Sequence, residues 1–248
     1  GSVSSNTALG ASALAANTSG ASNTAFGYGA GQATTSGGEN TFVGRWAGLG
    51  NTTGGDNSGF GNDALVSNTT GNYNTASGAY ALFSNTTASY NTAVGYQAGY
   101  SANADYGASA ALGYKALYSN TTGQYNVAIG GNSLTLNTSG YGNTAVGQSA
   151  LGSNTTGHSN VAVGTYNGSV LPALYANTTG AYNVAMGVGA LTANTTASYN
   201  TAVGYQASYS NTTGERNVSV GVSALTGGTT ASYSTVVGYA AYSGASAT

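Results

Sequence analysis

The chain has 248 residues, of which 3% are charged, with a formal net charge of −2 and no cysteine. Ordinary soluble domains carry about 25% charged residues, so this composition lies far outside the ordinary range. It offers no basic patch for phosphates, no run of about 20 apolar residues to cross a membrane and no disulfide framework.

Read from the N-terminus, a five-residue phrase of the type Asn-Thr-Ala-Val-Gly recurs. It starts at Asn6, Asn23, Asn40, Asn57, Asn74, Asn91, Ser109, Asn126, Asn143, Asn160, Asn183, Asn200, Asn217 and Ser234. The step is 17 residues except from Asn91 to Ser109, where it is 18, and from Asn160 to Asn183, where it is 23. Insertions therefore fall near 102–105 and 166–172, and the second holds the single proline, Pro172. Recurrence at a fixed short period is the mark of a repeat architecture. Fixed spacing of aliphatic and Tyr residues also speaks against disorder.

Numbering each unit from one to seventeen makes its parts legible. Phases one to five alternate in size and are rich in Thr and Val, which predicts a strand with phases two and four on one face. Phase five is glycine in every unit, from Gly10 to Gly238, a position for a turn or a close approach. Phases six to ten, such as Tyr114-Lys115-Ala116-Leu117-Tyr118, predict a second short extended segment. Asn-Thr-Thr-Gly at phases twelve to fifteen is turn chemistry. No 3.6-residue stripe runs through the unit, and Asn, Thr, Gly and Ser oppose helix.

The expected fold is all-β: a parallel β-solenoid (β-roll) of fourteen 17-residue coils, forming one uncapped domain over 1–248. One coil cannot bury its own apolar side chains, so columns of Val, Ala and Leu along the stack are the expected core. Asn at phase one is expected to form an amide ladder. The phases at which the chain starts and stops suggest copies stacking head to tail, an open-ended contact.

Nothing in the pattern points to catalysis. His158 is the sole histidine, and no carboxylate lies within a coil of it, whereas acid–base chemistry needs a positioned partner. Glu39, Asp56 and Asp63 are weighed for calcium through oxygen ligands, against a plain acidic spot near Arg45, and no metal or cofactor is assigned. Tyrosines are the contact candidates: Tyr73, Tyr90, Tyr125, Tyr182, Tyr199 and Tyr233 at phase seventeen, with Tyr96, Tyr114 and Tyr205 at phase six. Such rings suit lateral packing between copies, packing within the coil stack, or a glycan surface. Asn-Thr-Thr or Asn-Thr-Ser sequons recur at phase twelve, with Asn68, Asn85, Asn120 and Asn154 as potential glycan acceptors against the reading of a simple turn repeat.

The phrases Asn126-Val127-Ala128-Ile129-Gly130, Asn160-Val161-Ala162-Val163-Gly164 and Asn183-Val184-Ala185-Met186-Gly187 resemble the head repeats of YadA-like trimeric autotransporter adhesins. They are also similar to repeat stalks of bacterial and phage tail-fibre-domain proteins. The resemblance implies a left-handed parallel β-roll, a trimer, and display on a cell surface with adhesion to host or matrix molecules. The adhesin heads use shorter coils. The expected function is a structural subunit of an extracellular fibre built from itself, with a cell-surface adhesin or tail-fibre shaft as the alternative. Its partners would then be further copies or a glycan or matrix surface, with neither nucleic acid nor membrane insertion.

Overall fold

The computed structural model describes residues 5–103 and 107–242. Residues 104–106, which include part of the first insertion, lie outside them. The chain forms two compact units, Gly1–Tyr125 and Asn126–Thr248. In the first, seven three-residue strands follow one another: β1 (Thr7–Leu9), β2 (Thr24–Phe26), β3 (Thr41–Val43), β4 (Ser58–Phe60), β5 (Thr75–Ser77), β6 (Thr92–Val94) and β7 (Ala110–Leu112). The second holds β8 (Val127–Ile129), β9 (Thr144–Val146), β10 (Val161–Val163), β11 (Val184–Met186), β12 (Thr201–Val203), β13 (Val218–Val220) and β14 (Thr235–Val237). Within each unit every strand pairs in parallel with the next, and identical phases stand opposite each other, as in Thr24↔Thr41 and Val161↔Val184. The fold is thus an all-β parallel β-solenoid with one strand per repeat and no helix among the described residues.

Phases six to eleven are not a second extended segment. They form tight turns closed by bonds such as Ala30 N–H to Gly27 C=O and Asn17 N–H to Leu14 C=O. Positive φ recurs at phase seven (Gln97, 55°; Lys115, 53°) and phase nine (Leu82, 50°; Leu191, 49°). Phase seven is the third residue of the first of these turns, the place where a type II turn demands positive φ, and phase nine holds the same place in turns such as that closed by Thr192 N–H to Gly189 C=O. For leucine that conformation costs about 1–2 kcal/mol. Full burial of the side chain returns about 1.5–3 kcal/mol, and Leu65, Leu134, Leu151, Leu174 and Leu191 are all fully buried. The turns survive because burial exceeds strain, and because their amides also reach the next coil, as in Leu14 N–H to Ala30 C=O at 3.0 Å.

The strands face the other way from the expectation. Phase three points inward: Ala25, Phe42, Ala76, Ala93, Ala128, Ala145, Ala162, Ala185 and Ala202 are fully buried. Phases two and four do share a face, but it is the outer one. The core is therefore Ala at phases three and eight, Leu at phase nine, and Asn at phases one and twelve. A short coil encloses a narrow lumen, and small residues with paired amides fill it where a column of Val, Ile and Phe would not fit.

Packing exceptions compensate one another. Phe42 is the large residue in the phase-three column, and the leucine of phase nine is replaced beside it by Gly31 and Gly48, where a Cβ would press on the Phe42 ring. Ser208 stands in for leucine and Ser219 for alanine, and their hydroxyls meet at 2.8 Å. At phase five a Cβ on Gly95 (φ 132°) would stand 2.6 Å from the Gly113 carbonyl oxygen, so the glycine column is set by the close approach of successive coils.

Two amide ladders complete the interior. At phase one each Asn Oδ1 accepts the backbone N–H of the phase-one residue of the next coil, as in Asn57 N–H to Asn40 Oδ1 at 2.9 Å, while Asn57 Nδ2 donates across the coil to Gly71 C=O at 2.8 Å. The phase-twelve ladder runs through Asn51, Asn68 and Asn85 in one unit and Asn137, Asn154, Asn177, Asn194 and Asn211 in the other. It is interrupted at Thr34, Ala102 and Gly228. The Oδ1 atoms of Asn85 and Asn211 and the Oγ1 of Thr34 are buried without a partner at those breaks.

Candidate functional site

The tyrosines named from the sequence all lie exposed, and the coil spacing brings them together as ladders. Tyr73 stacks on Tyr90 with centroids 5.1 Å apart and planes at 10°, and Tyr182 on Tyr199 at 5.1 Å and 8°. Tyr96 stacks on Tyr114 at 5.8 Å. A further ladder, at phase ten, joins Phe83, Tyr100 and Tyr118 at 4.9 and 5.0 Å. Desolvation, then the neighbouring tyrosines Tyr118, Tyr80 and Tyr96, push the Tyr100 phenol above its ordinary value. Arg216 fits between Tyr199 and Tyr233, over both rings at 5.2 and 5.4 Å, and donates to the Tyr233 hydroxyl at 2.8 Å. Among the described residues Tyr125 and Tyr205 stack on no other ring, and Tyr233 meets the Arg216 cation alone. Where rungs stack, ring faces are spent on neighbours and the edges look outward. Packing within the coil stack accounts for much of the tyrosine pattern.

The sequons are a correction. Asn68, Asn85 and Asn154 are 0% exposed and Asn120 3% exposed. Asn68 Nδ2 donates to Asn51 Oδ1 at 2.8 Å and to Gly71 C=O at 3.0 Å; Asn85, Asn154 and Asn120 Nδ2 likewise donate to the carbonyls of Ala88, Gly157 and Gly123. The nitrogen that would carry a glycan is inside the coil and already used. The recurring triplet encodes a core amide followed by a turn. By contrast, the sequon Asn167-Gly168-Ser169 lies in the exposed insertion.

Among the described residues no three His, Asp or Glu side chains gather to hold a metal. Asp63 turns to the Asn62 amide instead. His158 stacks on Tyr141 at 4.6 Å and meets Tyr182 edge-on at 5.0 Å. It is a rung of an aromatic ladder, with only Ser159 Oγ at 3.4 Å from Nδ1.

Two features emerge from the structure alone. The first is the outer sheet face. Phe26, Phe60, Val94 and Leu112 in one unit, and Ile129 (40% exposed), Met186 (46%) and Val220 in the other, project from phase four into solvent. Thr or Val at phase two runs beside them, and no charged residue occurs at either phase. The second is a pair of hollows beside the insertion in the second unit. One of about 270 Å³ is lined by Asn132, Thr135, Leu136, Ser149, Gly152, Ser153 and Tyr175. Its neighbour of about 250 Å³ adds Gln148, Tyr166, Leu171 and Pro172 while sharing Ser149 and Tyr175.

Fold and surface together define a β-solenoid repeat protein with an apolar outer sheet and aromatic ladders. Compared with known proteins, the chain matches no family model, no curated protein and no solved structure.

Proposed function

We propose that this chain is a structural element of an extracellular fibre, in which copies associate through the outer face of the sheet. The supporting observation is the phase-four column of exposed Phe, Val, Leu, Ile and Met. Contiguous apolar surface on a soluble protein marks an interaction site. A second copy of this chain is the partner that fits. The column repeats at the spacing of hydrogen-bonded strands, about 4.8 Å, and another copy of the same solenoid presents the same repeat. The face holds no charge to oppose that contact. A charge content of 3% also leaves little repulsion between copies.

Electron microscopy and sedimentation at neutral pH test this. Wild-type protein is expected to form filaments, and an Ile129→Lys/Met186→Lys variant to be dispersed with its fold intact. A wild-type monomer at high concentration defeats the proposal. A closed trimer would favour the alternative, an adhesin or tail-fibre shaft.

A further inference from the structure

The phase-ten column shows what the second unit lacks. In the first unit Phe83, Tyr100 and Tyr118 fill successive rungs about one ring apart, at 4.9 and 5.0 Å. In the second, phase ten carries Thr135, then Gly152, then Tyr175. Gly152 contributes no side chain, so one rung is missing, and a Cβ there would stand 3.4 Å from Tyr175 Cε2. The 270 Å³ hollow is that missing rung. Tyr175 forms one wall of it.

The six-residue insertion is built against the same tyrosine. Asn167 Oδ1 accepts the N–H groups of Ser169 and Val170 at 3.1 and 2.8 Å, and the Tyr166 hydroxyl donates to Gly168 C=O at 3.1 Å. Val170 is buried, which ties the loop down, and Thr192 Oγ1 donates to Pro172 C=O at 2.9 Å. The loop thereby holds Tyr166, Leu171 and Pro172 as the far wall of the second hollow. The two hollows lie side by side as slots that share Tyr175 and Ser149. Amide and hydroxyl groups of Asn132, Gln148, Ser149 and Ser153 line them, and no ionisable group other than the two tyrosines does.

We infer that these slots bind two consecutive units of a neutral hexopyranose chain. A pyranose offers an apolar C–H face to an aromatic ring and a rim of hydroxyls to amides and hydroxyls. A charged sugar would find no counter-ion here. A wholly apolar ligand would leave the polar lining unpaired, which disfavours it. The inference does not rest on self-association through the sheet face.

Calorimetric titration with soluble hexamers of β1,4-linked glucose, α1,4-linked glucose and β1,4-linked N-acetylglucosamine tests it. At least one is expected to bind saturably. Tyr175→Ala should weaken that binding roughly tenfold, the scale of one lost aromatic contact, and Tyr175→Phe should retain it. Gly152→Tyr restores the missing rung and should abolish binding with the far-UV spectrum unchanged. If Gly152→Tyr fails to fold, the Tyr175 pair decides alone. Binding must persist in Ile129→Lys/Met186→Lys, which separates this inference from the fibre proposal. No binding by any of the three sugars, or binding that ignores Tyr175→Ala, overturns it. So does a Gly152→Tyr protein that loses self-association without wild type ever binding sugar, because the slot would then take a side chain of another copy.

Discussion

Replacing Asn68 tests whether the buried amide ladder holds the coils together. Its Nδ2 donates to Asn51 Oδ1 at 2.8 Å and Gly71 C=O at 3.0 Å, and its Oδ1 accepts from Asn85 Nδ2 at 2.7 Å. Asn68→Ala removes all three bonds. Gly71 C=O keeps Asn57 Nδ2 and Asn85 Nδ2 keeps Ala88 C=O, so Asn51 Oδ1 is the acceptor left stranded inside. Three bonds at about 1 kcal/mol each, plus about 1–3 kcal/mol for the stranded oxygen, give a loss of about 4–6 kcal/mol. That is a large share of the 5–15 kcal/mol typical of a folded domain. Asn68→Asp keeps the shape but aims a carboxylate at two acceptors. Burial disfavours its charged form, so its folded pKa lies above the unfolded value of about 3.9. The protonated acid can still donate one bond. The variant should therefore be least impaired below about pH 4 and lose stability as pH rises from there through the folded pKa. Guanidinium unfolding followed by far-UV circular dichroism, repeated from pH 3 to 8, reads both effects. A cost under about 1 kcal/mol for Asn68→Ala, together with a pH-independent Asn68→Asp, would refute the ladder as a source of stability.

Thr34→Asn should do the reverse. It closes a break in the ladder between Asn17 and Asn51, where Thr34 Oγ1 is buried without a partner, and a gain of about 1–2 kcal/mol is expected in the same unfolding assay. Phe42→Ala should cost about 3–5 kcal/mol as a cavity, and Gly48→Leu should also destabilise because its side chain meets the Phe42 ring. The double variant should recover most of the loss, since other coils hold Ala and Leu at those phases; additive losses would contradict the packing account. Raising the pH past 10 should weaken wild type. The Tyr100 phenol is raised in the fold by desolvation and its tyrosine neighbours, so its contribution is full below the unfolded value and lost as pH climbs through the folded one. Tyr100→Phe should unfold less readily in that range, and identical alkaline melts would count against the stacked ladder.

The sequence by itself determined the period, a strand within phases one to five, the glycine column and the turn at phases twelve to fifteen. Each follows from local rules: alternation, backbone freedom and side-chain-to-backbone competition act within a few residues. It also located the second insertion, though not its pairing with the missing rung at Gly152, because those residues meet only when coils stack. Alternation places phases two and four on one face without saying whether that face looks in or out. Hydropathy alone points the wrong way, putting Val inside and Asn outside. Only stacking decides it. In-register coils let each Asn find its partner in the next coil, which makes a buried amide cheap, and the narrow lumen admits alanine where isoleucine or phenylalanine would not fit. The larger apolar residues are left on the outer face, where the fibre proposal places the contact between copies.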